Sequence, residues 1–247
     1  MLRLIIIITI AFLAAANFAP KPALTVVSAN SDSERTAIRF VHGIPAATPA
    51  ITDVDVLIDA GHGGIDGGTV FGSILEKDIN LAIAKKTYAQ LQAMGLTAVL
   101  DRTDDYALSS DNTWLKSSSR HRKDLAQRSH LANELKPKAL ISLHVNAAKR
   151  AGKSGPIVLH QKTAESKELA NRLQQSLNQL YGVEETPRHG KTYYLLKHAK
   201  VPAVIVEMGF LTNESDRRRL TDPAGQEEIA RCIAEGIKAY LEQCAAK

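Results

Sequence analysis

Three short apolar runs constrain this chain more than anything else in it. Val54, Val56, Leu57 and Ile58 form one, Ala139–Leu143 the second and Ala203–Val206 the third. Continuous runs of this length, rich in β-branched and aliphatic residues, are the pattern of strands covered on both faces. Each run ends at a residue able to do chemistry. The first breaks at Gly61-His62-Gly63-Gly64, where glycines allow a sharp turn and bring an imidazole beyond the strand end; the second runs into His144 and the third into Glu207. In an open α/β sheet, ligands collect beyond the carboxyl ends of the strands. Two histidines and a glutamate delivered there look like one site.

Covering such strands requires helices, and the segments between the runs have the period for them. Asp78–Met94 carries a stripe of Ile79, Ile83, Leu91 and Met94 stopped by Gly95, and Asp124–Leu135 is a second helix ended before Pro137. Glu165–Tyr181 repeats Leu169, Leu173, Leu177 and Leu180 before Gly182, and Ala224–Glu242 reads as a closing helix. Further strands are expected at Leu96–Leu100, Pro156–His160 and Tyr193–Leu196. Asp101–Arg122, polar and serine-rich, is expected to be a mobile loop over one edge of the site. Strands alternating with helices predict an α/β fold: a single domain with a mostly parallel twisted sheet flanked by helices on both faces.

The first residues read differently. Met1-Leu2-Arg3 precedes an apolar stretch from Leu4 to Ala16 that ends in the small residues Ala14–Ala16. This is the pattern of a signal peptide, or of a membrane anchor if it stays uncleaved. The expected organisation is therefore a leader over residues 1–19, a flexible tether over 20–52 and a catalytic domain over 53–243. The remainder of the chain is expected to be extracytoplasmic, either secreted or membrane-anchored, with membrane contact through the N-terminal segment.

Composition narrows the partners. A formal charge of +5 and 5% aromatic residues leave no basic block interleaved with aromatics, so nucleic-acid binding is disfavoured. An anionic matrix fits the charge, as does ordinary solubility. Cys232 and Cys244 lie in the last predicted helix, where twelve residues rise about 18 Å, so no intrachain disulfide is expected. With no cysteine spacing suited to metal, any ion must be held by nitrogen and oxygen.

A glutamate ending Val204-Ile205-Val206 is costly to keep charged in a dry setting unless a cation lies near or its pKa rises. The bland alternative is a solvent-facing strand end, and His62 and His144 could each be satisfied by backbone. Glu76, just ahead of the helix expected near Asp78, adds a fourth member. Two imidazoles and one carboxylate make a zinc set with a position left for water, and a second carboxylate can take that water's proton. No His-Glu-x-x-His helix is present.

Asp59-Ala60-Gly61-His62-Gly63-Gly64, Leu75-Glu76-Lys77-Asp78, Ser142-Leu143-His144-Val145-Asn146-Ala147 and the segment from Pro202 through Glu207 to Asn213 together resemble, in order, the signature segments of the zinc-dependent N-acetylmuramoyl-L-alanine amidases, the amidase-3 family. The similarity spans about residues 54–241. It implies Zn²⁺ held by His62, Glu76 and His144, with Glu207 as catalytic base cleaving the amide between the muramic acid lactyl group and L-alanine. Ala60 stands where the family usually has proline, which is expected to loosen the turn aiming His62; Thr212 replaces a common serine.

Within the family, the leading segment, the Arg120–Leu125 stretch and the lack of an attached wall-binding module resemble the spore-cortex and germination-specific type. The implied partner is peptidoglycan of the cell wall or spore cortex, and room is left for a separate activating lipoprotein. Asn146 is a candidate for orienting a ligand or the scissile carbonyl. Arg128 is a candidate for a muropeptide carboxylate or for a helix-face salt bridge. Two rival functions remain open at this point: a catalytically silent peptidoglycan-binding module of the same fold, and a zinc carboxypeptidase acting on stem peptides.

Overall fold

The computed structural model describes residues 53–149 and 152–246, together with the backbone of β1 (Ala23–Val26) and β2 (Ile38–Val41), which pair antiparallel within the stretch expected to be a tether. The leader expected over residues 1–19 lies outside the described residues. Beyond it the chain forms β3 (Val56–Ala60), a small hairpin of β4 (Val70–Phe71) and β5 (Ile74–Leu75), α1 (Glu76–Ala93) and β6 (Ala98–Leu100). Next come α2 (Arg120–Leu135), β7 (Ala139–Asn146), β8 (Ile157–His160), α3 (Ala164–Tyr181) and β9 (Arg188–His189). The chain closes with α4 (Tyr194–His198), β10 (Ala203–Phe210), α5 (Glu214–Thr221) and α6 (Pro223–Ala245).

Six strands form one sheet in the order β6-β3-β7-β10-β8-β9. All neighbours are parallel except β10 and β8. The period of two along each strand sorts side chains into two layers. Val56, Ile58, Ile141, Val204 and Val206 pack against α1, α3 and α6. Leu57, Leu140, Ala203 and Ile205 face α2 and α4. By the same alternation Asp59, Ser142, His144 and Glu207 fall on the α2/α4 side, where β3, β7 and β10 end. The sheet thus carries polar groups to one edge of one face while the opposite face stays apolar.

Helix boundaries follow local chemistry. Ser119 caps α2 by accepting from Arg122 N, Thr163 caps α3 by accepting from Ser166 N, and Asp222 caps α6 ahead of Pro223. The same Asp222-Pro223 pair separates α6 from α5, which was not expected and is capped by Asn213. Tyr193–Leu196, expected as a strand, instead opens the five-residue helix α4. Four apolar residues do not discriminate the two periods, and here Leu195 and Leu196 bury together while Tyr194 stacks on His198 at helical spacing, ring centroids 4.0 Å apart. Cys232 is buried and Cys244 exposed, both free. Among the described residues no helix is long and apolar enough to cross a membrane.

Candidate metal centre and active-site cleft

His62 sits two residues past the end of β3 with φ 63°, a left-handed conformation that costs an ordinary residue about 1 kcal/mol. The turn is held by two buried arginines. Arg102 donates to the carbonyls of Ala60, Gly61 and Lys77, and Arg128 donates to those of Ala60 and His62, the last at 2.7 Å. Gly61 is required by close approach, since a Cβ there would lie 2.4 Å from the His144 ring. Ala60, which stands where proline is usual, adds a tie to the turn. Its N–H donates to Asp101 Oδ1 at 2.9 Å, a bond that proline could not make.

Glu76 is the first residue of α1 rather than a residue ahead of it, so its carboxylate meets the positive end of the helix dipole. It is buried and pinned: Oε2 accepts from Thr69 N at 2.7 Å and Oε1 from Val145 N at 2.9 Å. Oε1 also lies 3.2 Å from His62 Nε2 and 3.0 Å from His144 Nδ1. The two rings meet edge to face with centroids 4.9 Å apart. One ligand atom from each of the three residues falls within 4.8 Å of the other two. Nδ1 of His62 is engaged separately by Asp66 Oδ2 at 2.9 Å, which leaves Nε2 facing Glu76.

The electrostatics of this group favour positive charge. Burial alone would lift the Glu76 carboxyl and lower the His62 imidazole; the two rings outweigh the first effect and hold Glu76 far below the usual carboxylate range. The carboxylates of Glu76 and Asp66 outweigh the second and raise His62 to about 9. A donor set of two imidazoles and one carboxylate within 4.8 Å of one another fits a divalent ion such as Zn²⁺. A carboxylate hydrogen-bonded to the far nitrogen of one imidazole is the usual support for such a ligand.

Glu207 pairs with His144 in register across β10 and β7, and only 9% of its surface is exposed. Burial pushes its carboxyl above the ordinary glutamate value; the His144 ring opposes this, Glu76 adds to it and His62 opposes it. The four residues open onto a cleft of about 1020 Å³ whose walls include Ile65, Arg120, His121, Asn146, Tyr193 and Tyr194. Asn146 stands on the rim, where its Oδ1 accepts from Ala147 N at 2.8 Å.

Arg128 borders the cleft but is 3% exposed and held by protein through Nε, Nη1 and Nη2. It pairs with Asp59, Asp101 and Asp124 at 2.5, 3.0 and 2.6 Å in addition to its two carbonyls. The i,i+4 pair with Asp124 is the helix-face salt bridge the sequence offered as one alternative, and the other bonds tie Arg128 to the His62 turn. Asp101–Arg122, expected to be mobile, is anchored from within by buried Arg102, Leu108 and Asn112. Several supporting residues escaped the reading of the sequence. Asp66 stands four residues past His62 inside the glycine-rich turn, a position that could have flagged it. Asn80, which donates to Gly61 O at 3.2 Å, and Arg102 gave no local signal because their partners are distant in sequence.

A family model described as N-acetylmuramoyl-L-alanine amidase matches residues 56–239. The germination-specific N-acetylmuramoyl-L-alanine amidase of Bacillus subtilis (strain 168) is 34% identical over 193 residues, covering 76% of this chain and 80% of that protein. N-acetylmuramoyl-L-alanine amidase LytC of the same organism is 28% identical, covering 92% of this chain; the chain spans about half of LytC, 48% of its length. Among solved structures, the CwlD amidase from Clostridioides difficile in complex with the GerS lipoprotein superposes with a TM-score of 0.72 at 32% identity, covering 77% of this chain and 100% of that one.

Proposed function

The chain belongs to the N-acetylmuramoyl-L-alanine amidase family, and from that membership we propose a zinc-dependent peptidoglycan amidase that acts outside the cytoplasm on the maturing spore cortex. The bond cut is the amide between the lactyl group of N-acetylmuramic acid and L-alanine of the stem peptide. Zn²⁺ held by His62, Glu76 and His144 would supply a Lewis acid for the scissile carbonyl and for the attacking water. Glu207 takes that water's proton and then gives it to the leaving amine, so one carboxyl serves as base and acid. Its burial suits the task, because a raised pKa narrows the gap to the groups it exchanges protons with. Asp66 fixes which His62 nitrogen faces the ion, and Asn146 orients the scissile carbonyl from the rim.

The observation that carries this reading is the position of Glu76 Oε1 between two imidazole nitrogens, with Glu207 in register beside one of them. Purified wild-type protein should contain one zinc per chain, and His62→Ala should lose it at matched concentration. Equal zinc content in the two proteins would remove His62 from the ligand set. The cortex role is supported by the similarity to the germination-specific relative. Expressed in a Bacillus subtilis strain lacking that relative, the chain should restore muramic δ-lactam to the cortex; an unchanged muropeptide profile would assign it to vegetative wall. A lipoprotein activator is supported by the partner named with the CwlD structure, and addition of such a lipoprotein should raise turnover.

A further inference from the structure

One face of α2 reaches the cleft with Arg120, Asp124 and Arg128 at successive four-residue steps. The two deeper residues are committed to protein partners. Arg128 is consumed by three carboxylates and two carbonyls. Asp124 accepts from Arg128 Nε on Oδ2 at 2.6 Å and from Ser109 N on Oδ1 at 3.2 Å. Arg120 is different: it is exposed on the cleft wall, and its guanidinium has no hydrogen bond or ion pair to any described residue. The acids nearest this end of the helix are occupied. Asp66 Oδ2 holds His62 Nδ1 and Asp66 Oδ1 accepts from Gly68 N, while the adjacent His121 comes within 3.9 Å of Asp66. The start of α2 is thus a cationic wall beside the His62 side of the centre. Tyr193 and Tyr194 also line the cleft, with Tyr193 close enough to Glu207 to feel its charge.

Resting on the amidase reading above, we propose that Arg120 is a specificity-determining residue that receives the free α-carboxylate of the stem peptide's second residue. In a stem that begins L-alanyl-γ-glutamate, the second residue is joined through its side chain and keeps that carboxylate free. The group lies roughly 7 Å from the scissile nitrogen at about 3.5 Å per residue, and Arg120 lines the same cleft as His62, Glu76, His144 and Glu207. A guanidinium accepts a carboxylate through two parallel hydrogen bonds, and an α-amide in its place cannot pair with it in that way. The cleft therefore distinguishes stems with an acid at this position from stems amidated there, and it orients the peptide toward α2.

The test uses two synthetic muropeptides that differ only in an α-carboxylate or an α-amide on the second residue. Wild-type enzyme should show a KM for the acid about tenfold below that for the amide, the range expected for one charge-assisted pair. Arg120→Gln should raise KM for the acid about tenfold, to the amide's value, with kcat changed less than twofold, and Arg120→Lys should recover part of the difference. Equal KM values in the wild type, or an acid preference that survives in Arg120→Gln, would overturn the assignment. Absence of turnover for both substrates would count against the amidase reading instead. Calorimetry of L-alanyl-D-glutamine, whose γ-amide stands in for the link to the third residue and leaves the α-carboxylate as the one free acid, with zinc-loaded wild type and Arg120→Gln then decides the subsite: about tenfold weaker binding to the variant is expected, and equal binding refutes it.

Discussion

His62 carries a left-handed backbone, and the surrounding residues show what keeps it there. Gly61 makes space for the His144 ring, two arginines hold the carbonyls, and Asp66 turns the imidazole. Each has a separable consequence. Gly61→Ala places a Cβ 2.4 Å from the His144 ring and 2.7 Å from Leu143 O, so that ring must move; zinc content should fall while circular dichroism stays that of the folded protein. Asp66→Ala should leave all three ligands present yet weaken zinc binding by about 10- to 100-fold, measured by competition with a chromophoric chelator. Glu207→Gln should keep full zinc occupancy and lose roughly 10²- to 10⁴-fold in turnover. Wild-type rates in that variant would remove Glu207 from the role of base.

At the scale of elements, each strand sends alternate residues to opposite layers, and the site exists because β3, β7 and β10 end together on the α2/α4 side. The strands were legible as apolar runs, α1 and α3 as apolar stripes stopped by glycine, and α2 and α6 as helical segments, the former ended ahead of Pro137. Their pairing order was not, since nothing local to Ala203–Val206 says that it lies beside β7 on one side and antiparallel β8 on the other. α4 was misread because its four apolar residues are shorter than one helical period can resolve, and α5 was missed because it is polar. Long-range ties complete the packing: Tyr181 at the end of α3 donates to Met208 O in β10 at 2.5 Å. Burial first, then Asp216, raises its phenol well above the usual value, with Arg219 opposing. A raised acid in the folded state gives stability that is present below about pH 10, the unfolded value, and is lost as pH climbs toward the folded one. Denaturant midpoints should therefore fall above pH 10 more steeply for wild type than for Tyr181→Phe. The variant should also be about 1 kcal/mol less stable at neutral pH for want of the hydrogen bond. Parallel pH curves would refute the linkage.

For the molecule as a whole, the four groups named from the sequence converge although they lie at positions 62, 76, 144 and 207. Their residue types and strand-end placement were legible; the buried Asp59–Arg128–Asp101 cluster beneath them was not, because its members announce themselves only once β3, α2 and the end of β6 are packed together. The formal charge of +5 adds a property of the entire surface. Binding to insoluble peptidoglycan should weaken as salt rises from about 0.05 to 0.5 M, and salt-independent retention would mean that the charge serves solubility alone. The central claim is that one divalent ion, gripped by His62, Glu76 and His144 beside Glu207, lets this fold cut between sugar and peptide. Mass spectrometry of a defined muropeptide incubated with the purified protein, with chelator and then with zinc restored, tests it most directly. The account predicts a glycan bearing a free lactyl carboxylate and a stem peptide beginning with free L-alanine, formed only when the ion is present. A product that keeps the sugar–peptide linkage intact, or the same cleavage in the presence of chelator, would contradict it.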